Sequence, residues 1–332
     1  MDSRAREWYR KRTWHWRDWP EKLLLEHKRQ AEARISVVIP ARNEERTVAD
    51  VVGTLQAALM RRIPLVDEVV VIDSDSADGT AAAAASAGAT VHRARDIAPE
   101  LGGFPGKGEA LWKSLFVTKG DLLVFVDADL TQWGPHFVTG LLGPLLADSD
   151  VRLVKGFYAR AAAGSDQSVS TEGGRVTELV ARPLLSLWWP ELSGVVQPLA
   201  GEWAARRELM ESLPIPVGYG VELSTLLDTS ARYGADAVAQ VDLDSRAHKH
   251  QTDHDLALMA AELLMVAERR HPGSAGAPMP AGPSLQQFVR EDGRVRPVAR
   301  PIPVQERPPL ASQIPVPGQL SGAAPGRQGS RR

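Results

Sequence analysis

The chain has no cysteine, which excludes disulfides and thiolate metal sites and permits a reducing compartment. No apolar run approaches the roughly 18 residues needed to span a bilayer. The charged, Trp-rich start (Trp8, Trp14, Trp16, Trp19) is not followed by an apolar signal segment. Charge of one sign is also missing. A formal net charge of −2 argues against broad electrostatic attachment to nucleic acid or acidic membranes. A soluble, cytoplasmic protein is the expectation. What the chain does have is size: 332 residues, 43% of them hydrophobic, enough for one large domain or two ordinary ones with a substantial core.

From residue 35 to 158 short continuous apolar runs alternate with segments of helical spacing. Strands are expected at 35–40, 66–73, 89–92, 121–127 and 151–158, with helices at 44–60, 78–87, 107–119 and 135–147. An Asp cap opens the second of these helices, and a proline stands near the first turn of the last. This order predicts an α/β fold with a mainly parallel sheet covered by helices on both faces. In such sheets ligands bind beyond the carboxyl ends of the strands. From 271 to 332 the chain holds half of its 24 prolines and much glycine. That segment reads as a disordered tail.

The apolar run 122–126 ends in Asp127-Ala128-Asp129. On a strand, the i, i+2 spacing turns both carboxylates to one side. There they can hold magnesium or manganese with room left for phosphate and water. A nucleoside diphosphate leaving group needs such a cation as its bond breaks. The alternative is a solvated strand end. Two more polar clusters fall at predicted strand ends in the same sheet mouth. Pro40-Ala41-Arg42-Asn43-Glu44 serves either as helix-cap chemistry, with Asn43 as cap, or as a nucleotide pocket. Asp73 and Ser74 lie within reach of the nucleotide, whereas Asp75 reads as turn chemistry.

The loop 103–109 lacks the spacing of a P-loop. Gly106 and Gly108 nonetheless allow backbone to approach a phosphate while Lys107 supplies charge; an ordinary flexible loop is the competing reading. Gly174, Arg175 and Thr177 offer a second anion site, or else a helix start with a solvated arginine. Gly201 either admits a hydroxylated ring or belongs to packing. Tyr219 and Glu222 open an amphipathic helix, where Glu222 faces sugar hydroxyls or simply favours the helix dipole. His248 and His250 share a side only if their strand extends that far. His248 alone is preferred as a third ligand to the Asp127/Asp129 cation, over a zinc site.

Six motifs in this order carry a family resemblance. They are Pro-Ala-Arg-Asn-Glu-Glu at 40–45, Gly-Lys-Gly-Glu-Ala at 106–110, Asp-Ala-Asp at 127–129, Gly-Gly-Arg-Val-Thr-Glu at 173–178, Gly-Tyr-Gly-Val-Glu at 218–222 and Arg-Ala-His at 246–248. Together they resemble the retaining glucosyl-3-phosphoglycerate synthases of actinobacteria. The resemblance covers about 35–270. It implies a GT-A-type, Rossmann-like nucleotide-sugar fold over 34–270, with a donor half at 34–160, an acceptor half at 161–270 and an N-terminal extension at 1–33.

By the same resemblance Pro40, Ala41, Asn43, Glu44, Ser74 and Ala128 hold the uridine nucleotide, and Lys107 contacts the donor phosphates. Asp127, Asp129 and His248 carry Mg2+ or Mn2+. Gly174, Arg175 and Thr177 grip the phosphate of 3-phosphoglycerate, and Tyr219 and Glu222 face the glucose or the acceptor. Asp129, Lys107 and Glu222 are the residues expected at the chemistry. The implied activity moves glucose from UDP-glucose to the 2-hydroxyl of 3-phosphoglycerate, in a homodimer. Ala128 and Asp75 depart from the serine and glycine of the family pattern, and Lys249-His250-Gln251 from a more arginine-rich run. Other readings are a mannosyl or other hexosyl transferase, a sugar-phosphate nucleotidyltransferase and a non-catalytic nucleotide-sugar binder. The second would carry a Gly-rich turn after its first strand, where 40–44 stands here.

Overall fold

Why the apolar runs fall where they do is seen in a computed structural model, which describes residues 1–162, 169–170, 174–248, 252–271, 273, 282–291 and 294–312. Helix α1 (Ser3–Arg12) is capped by Asp2, whose carboxylate accepts from the Arg4 amide at 2.9 Å. Strand β1 (Thr13–His15) and helix α2 (Glu21–Gln30) follow. The alternation then runs β2 (Ile35–Ala41), α3 (Val48–Leu55), β3 (Glu68–Asp73), α4 (Thr80–Ser86), β4 (Thr90–Arg93), α5 (Lys107–Val117), β5 (Leu122–Phe125), α6 (His136–Ala147) and β6 (Leu153–Ala162). Beyond it lie a short β7 (Val169–Ser170), α7 (Arg182–Trp188), β8 (Trp203–Arg206), α8 (Arg207–Ser212), β9 (Ile215–Pro216), α9 (Val221–Tyr233), β10 (Val238–His248) and α10 (Asp253–Arg270).

The main sheet has the order β1-β10-β6-β8-β5-β2-β3-β4, with β7 beside β6. It is mainly parallel, as expected; β8 runs antiparallel to both β5 and β6. Helices cover both faces, so the central strands are buried on both sides and read as unbroken apolar runs rather than alternating ones. Val37, Val124 and Val241 enter the core on one face, and Val38, Phe125 and Trp203 the core on the other. No helix among the described residues is long and apolar enough to cross a membrane.

Several expectations need correction. The strand carrying the acid pair stops at Phe125, so Asp127 and Asp129 sit in the turn after it, not on a pleated strand. The last tie to β2 is the Val126 amide donating to the Val38 carbonyl at 3.1 Å. β2 continues past this point alongside β3, so β2 and β5 part there. The helix expected from 44 begins at Val48 and runs on into a π turn, Gln56–Arg62. Gly79, rather than Asp78, stands at the start of α4, although the Asp78 carboxylate still accepts from the Thr80 amide at 3.0 Å.

Residues 1–33 are not an appendage. β1 pairs in parallel with β10 at the sheet edge, and buried Trp8 donates from Nε1 to the Val238 carbonyl at 3.0 Å. Trp19 packs so closely on Gly143 that a Cβ there would stand 2.5 Å from the indole Cε2. The disordered tail also fails over its described part. β11 (Ser284–Glu291) and β12 (Arg294–Pro301) form an antiparallel hairpin, and β13 (Glu306–Arg307) pairs with β9. Prolines suit an extended strap because they fix φ without needing a ladder donor. Composition alone could not reveal Arg307 and Leu310, which are buried. Residues 313–332 lie outside the described part.

Candidate active site

Where β5 leaves the sheet, five charged side chains from four separated segments meet. Lys107, the first residue of α5, puts Nζ 2.7 Å from Asp127 Oδ1 and 2.8 Å from Glu222 Oε1. Glu222 lies in the first turn of α9 and is buried. Arg246 of β10 sets Nη2 3.1 Å from Asp129 Oδ1 and Nη1 3.5 Å from Asp127 Oδ2. The two aspartates therefore do converge, but through a turn and a shared guanidinium rather than through strand alternation. Burial pushes Asp127 up, yet Lys107 and Arg246 outweigh it and hold the carboxyl at about 2. Burial likewise works to lower Lys107, but Asp127 and Glu222 keep it protonated well above its ordinary range.

Beneath this cluster lies a layer that sequence reasoning missed. Arg246 Nη1 donates to buried Glu202 Oε1 at 2.5 Å, and the Tyr158 hydroxyl donates to Glu202 Oε2 at 2.8 Å. Burial raises Glu202 against the pull of Arg246, and burial with the Glu202 charge raises Tyr158. Lys155 is also buried; its Nζ donates to the Ala200 carbonyl at 2.9 Å, and desolvation pulls it down to about 7. Gly201 does not face an open sugar subsite. A Cβ on it would stand 2.8 Å from Asp127 Cγ, so the glycine is what lets the acid lie against this turn. Arg246 was in view as part of Arg-Ala-His, but its role needed the fold: nothing local ties residue 246 to 127, 129 and 202.

On the nucleotide side, Ala41 is buried at the end of β2 and Pro40 is half-buried. The Ser74 amide donates to the Ala41 carbonyl at 2.9 Å. Asn43 does not cap the following helix. It takes a left-handed φ of 57°, and its Oδ1 accepts from the Ala77 amide at 2.8 Å, tying the β2 loop to the β3 loop. The Glu44 amide donates to Thr80 Oγ1 at 2.8 Å. Asp75 bonds Arg95 at 3.3 Å, in keeping with a structural role. Ala128 is buried between the two aspartates.

The expected acceptor residues are divided. Gly174 is half-buried, Thr177 is buried, and Arg175 is exposed and paired with Asp253 at the start of α10. Tyr219 is exposed and its amide donates to Glu262 Oε2 at 2.7 Å, in the same loop that leads to Glu222. His248 ends β10 two residues beyond Arg246, but its side chain, like all of His250, falls outside the described residues.

A Glycosyl transferase family 2 model matches residues 36–190. The glucosyl-3-phosphoglycerate synthase of Mycolicibacterium smegmatis is 43% identical over 308 residues, covering 93% of this chain and 98% of its own. That of Petrotoga mobilis is 47% identical over 249 residues, 75% of this chain and 77% of its own. The chain belongs to the glucosyl-3-phosphoglycerate synthase family. The Mycobacterium tuberculosis enzyme of this family, crystallised with Mn2+, UDP and glucosyl-3-phosphoglycerate, superimposes with a TM-score of 0.80 at 42% identity, over 91% of this chain and 99% of that one. A mannosyl-3-phosphoglycerate synthase from Rubrobacter xylanophilus superimposes with a TM-score of 0.84 at 37% identity, over 93% and 98%. The fold is thus the GT-A type.

The donor set in this family member fits a hard divalent cation: two short carboxylates, partly open to the cleft, at the mouth of a mainly parallel sheet. Among the described residues His15, Asp242 and Asp244 also lie close enough together to share an ion. Asp244 there accepts from Trp16 Nε1 at 2.7 Å and Arg17 Nη2 at 3.2 Å, which ties the N-terminal segment to β10.

Proposed function

We propose that this protein transfers glucose from UDP-glucose to the 2-hydroxyl of 3-phosphoglycerate with retention at the anomeric carbon, and that it needs a divalent metal. The observation that carries the reading is the meeting of Lys107, Asp127, Glu222, Asp129 and Arg246 at the carboxyl edge of the sheet. Similarity to relatives named for this reaction supports the substrates.

In this reading Asp127 and Asp129, joined by His248, hold Mg2+ or Mn2+. Once bound, the metal would neutralise charge on the departing diphosphate. Pro40, Ala41, Asn43, Glu44, Ser74 and Ala128 line the uridine side, where the Asn43–Ala77 bond keeps the two loops in register. Lys107, held protonated by two carboxylates, donates to the donor phosphates. Arg175 and Thr177, with the Gly174 backbone, take the acceptor phosphate, and Tyr219 and Glu222 face the sugar. The anomeric bond to the UDP oxygen breaks as the bond to the acceptor oxygen forms on the same face, and the acceptor proton passes to the diphosphate oxygen. Positioning and fixed charge supply the acceleration, with no covalent glycosyl-enzyme.

We also infer a homodimer working in the cytoplasm. One face of the β11–β12 hairpin is tied to α10, where buried Gln287 donates from Nε2 to the His254 carbonyl at 3.0 Å, yet the other leaves Phe288 65% and Val295 56% exposed beside Pro297. A second copy covering that face would resolve the mismatch, and light scattering on the purified chain tests it.

The deciding experiment incubates the protein with Mn2+ and 3-phosphoglycerate plus either UDP-glucose or GDP-mannose, and identifies the product by mass and NMR. Glucosyl-3-phosphoglycerate with free UDP is expected. Preference for GDP-mannose, an activated form of the sugar that the Rubrobacter likeness makes the competitor, would transfer the reading to the mannosyl enzyme. Release of pyrophosphate, or no turnover, would end it.

A further inference from the structure

The C-terminal strap reaches the active site from behind. Arg307 is buried and grips Glu109 with both arms of its fork, Nε to Oε2 and Nη2 to Oε1 at 2.7 Å each. The same guanidinium donates to the Leu101 carbonyl at 2.8 Å and the Gly102 carbonyl at 3.0 Å. Its Cζ lies over the rings of both Phe104 and Trp112, 4.6 Å from each centroid. Trp112 in turn donates from Nε1 to the Pro308 carbonyl at 3.0 Å. Every one of these partners flanks Lys107, on the loop before it or the helix it begins.

Glu109 is the pivot. Its side chain belongs to the strap, while its amide donates to the Val217 carbonyl at 2.9 Å and the Gly108 amide donates to the Gly218 carbonyl at 3.2 Å. The Val217 amide closes the circuit on the Gln305 carbonyl at 3.1 Å. The loops bearing Lys107 and Tyr219–Glu222 are thus zipped backbone to backbone. A Cβ on Gly106 would stand 3.0 Å from Gly218 Cα, and one on Gly108 would stand 2.9 Å from the Pro216 carbonyl carbon. A buried ion pair adds little net stability over an apolar pair of equal volume. What a bidentate fork adds is direction.

We propose that Arg307 is a positioning residue for the reaction: through Glu109 it sets the first turn of α5, and with it the Lys107 ammonium between Asp127 and Glu222. The proposal deepens the transferase reading and rests on it. Since a misplacement of about 1 Å costs about 100-fold, Arg307→Ala is expected to lower kcat by at least about 10-fold while the KM for 3-phosphoglycerate stays within about twofold.

The test measures UDP release by the full chain, wild type against Arg307→Ala and Arg307→Lys, with near-UV dichroism confirming the fold at assay temperature. Added guanidinium ion should restore part of the lost kcat in Arg307→Ala and none in wild type. Arg307→Lys, which keeps the charge but not the fork, should fall between them. A folded Arg307→Ala or Arg307→Lys with wild-type kcat overturns the proposal, as does a loss confined to acceptor KM. Should Arg307→Ala not fold, Arg307→Lys decides by the same criterion. If the wild type itself transfers no glucose, the transferase reading has failed on its own account. Amide exchange then decides the positioning claim: Gly108 and Glu109 must lose protection in Arg307→Lys while α6 keeps its own.

Discussion

Gly201→Ala puts one methyl group against the most heavily engaged acid of the cleft. The φ of Gly201 is not left-handed, so alanine is acceptable to the backbone and any effect comes from contact. The new Cβ would stand 2.8 Å from Asp127 Cγ and 2.9 Å from Oδ1, with Oδ2 nearer still. Ordinary contact requires about 3.5 Å, so the carboxylate must retreat by roughly 1 Å. It cannot do so freely, because Lys107 holds Oδ1 at 2.7 Å and Arg246 lies 3.5 Å from Oδ2. Nor can the turn swing away easily, since the Ala200 carbonyl is fixed by buried Lys155 at 2.9 Å and the Glu202 carbonyl by the Gly156 amide at 3.0 Å. Overpacking of this kind costs about 1–3 kcal/mol of stability, and a displaced ligand of this size about 100-fold in turnover. The assay is kcat for UDP release together with calorimetric titration of Mn2+ in the presence of UDP. A folded Gly201→Ala enzyme with unchanged Mn2+ affinity and turnover would show that Asp127 is not where metal and leaving group meet.

Chelation should abolish turnover and added Mn2+ or Mg2+ restore it, and Asp129→Ala should be inactive with an unaltered circular dichroism spectrum; full activity in either case removes the metal from the mechanism. Arg175→Ala is expected to raise the KM for 3-phosphoglycerate by about 10-fold or more, the value of a charge-assisted bond, and an effect confined to the UDP-glucose KM contradicts its assignment. Lys155 titrates at about 7 in the folded protein and near 10.4 when unfolded. The unfolded chain therefore binds more protons between these values, so stability rises with pH there, by up to about 1.4 kcal/mol per unit. Denaturant titrations at pH 7, 8 and 9 should show that rise in wild type and not in Lys155→Met; equal slopes would mean the amine is not desolvated as its burial indicates.

Much of this molecule is legible in its residues alone. Continuous apolar runs alternating with helical spacing dictate a mainly parallel, doubly covered sheet, because buried strands cannot afford polar faces on either side. Polar residues clustered at the ends of such runs brought Asp127, Asp129 and Asn43 into view, and a glycine-punctuated loop brought in Lys107. Three things were decided only by tertiary structure. Asp127 and Asp129 converge because β5 parts from β2 and a guanidinium from residue 246 enters between them, a contact more than a hundred residues away that no local period encodes. The layer of Glu202, Tyr158 and Lys155 was invisible because isolated polar residues in or beside strands look the same whether they face water or one another. Composition misjudged both termini for the same reason: Trp-rich and Pro-rich segments carry little periodic pattern, and only the surfaces awaiting Trp8 and Arg307 make them part of the fold.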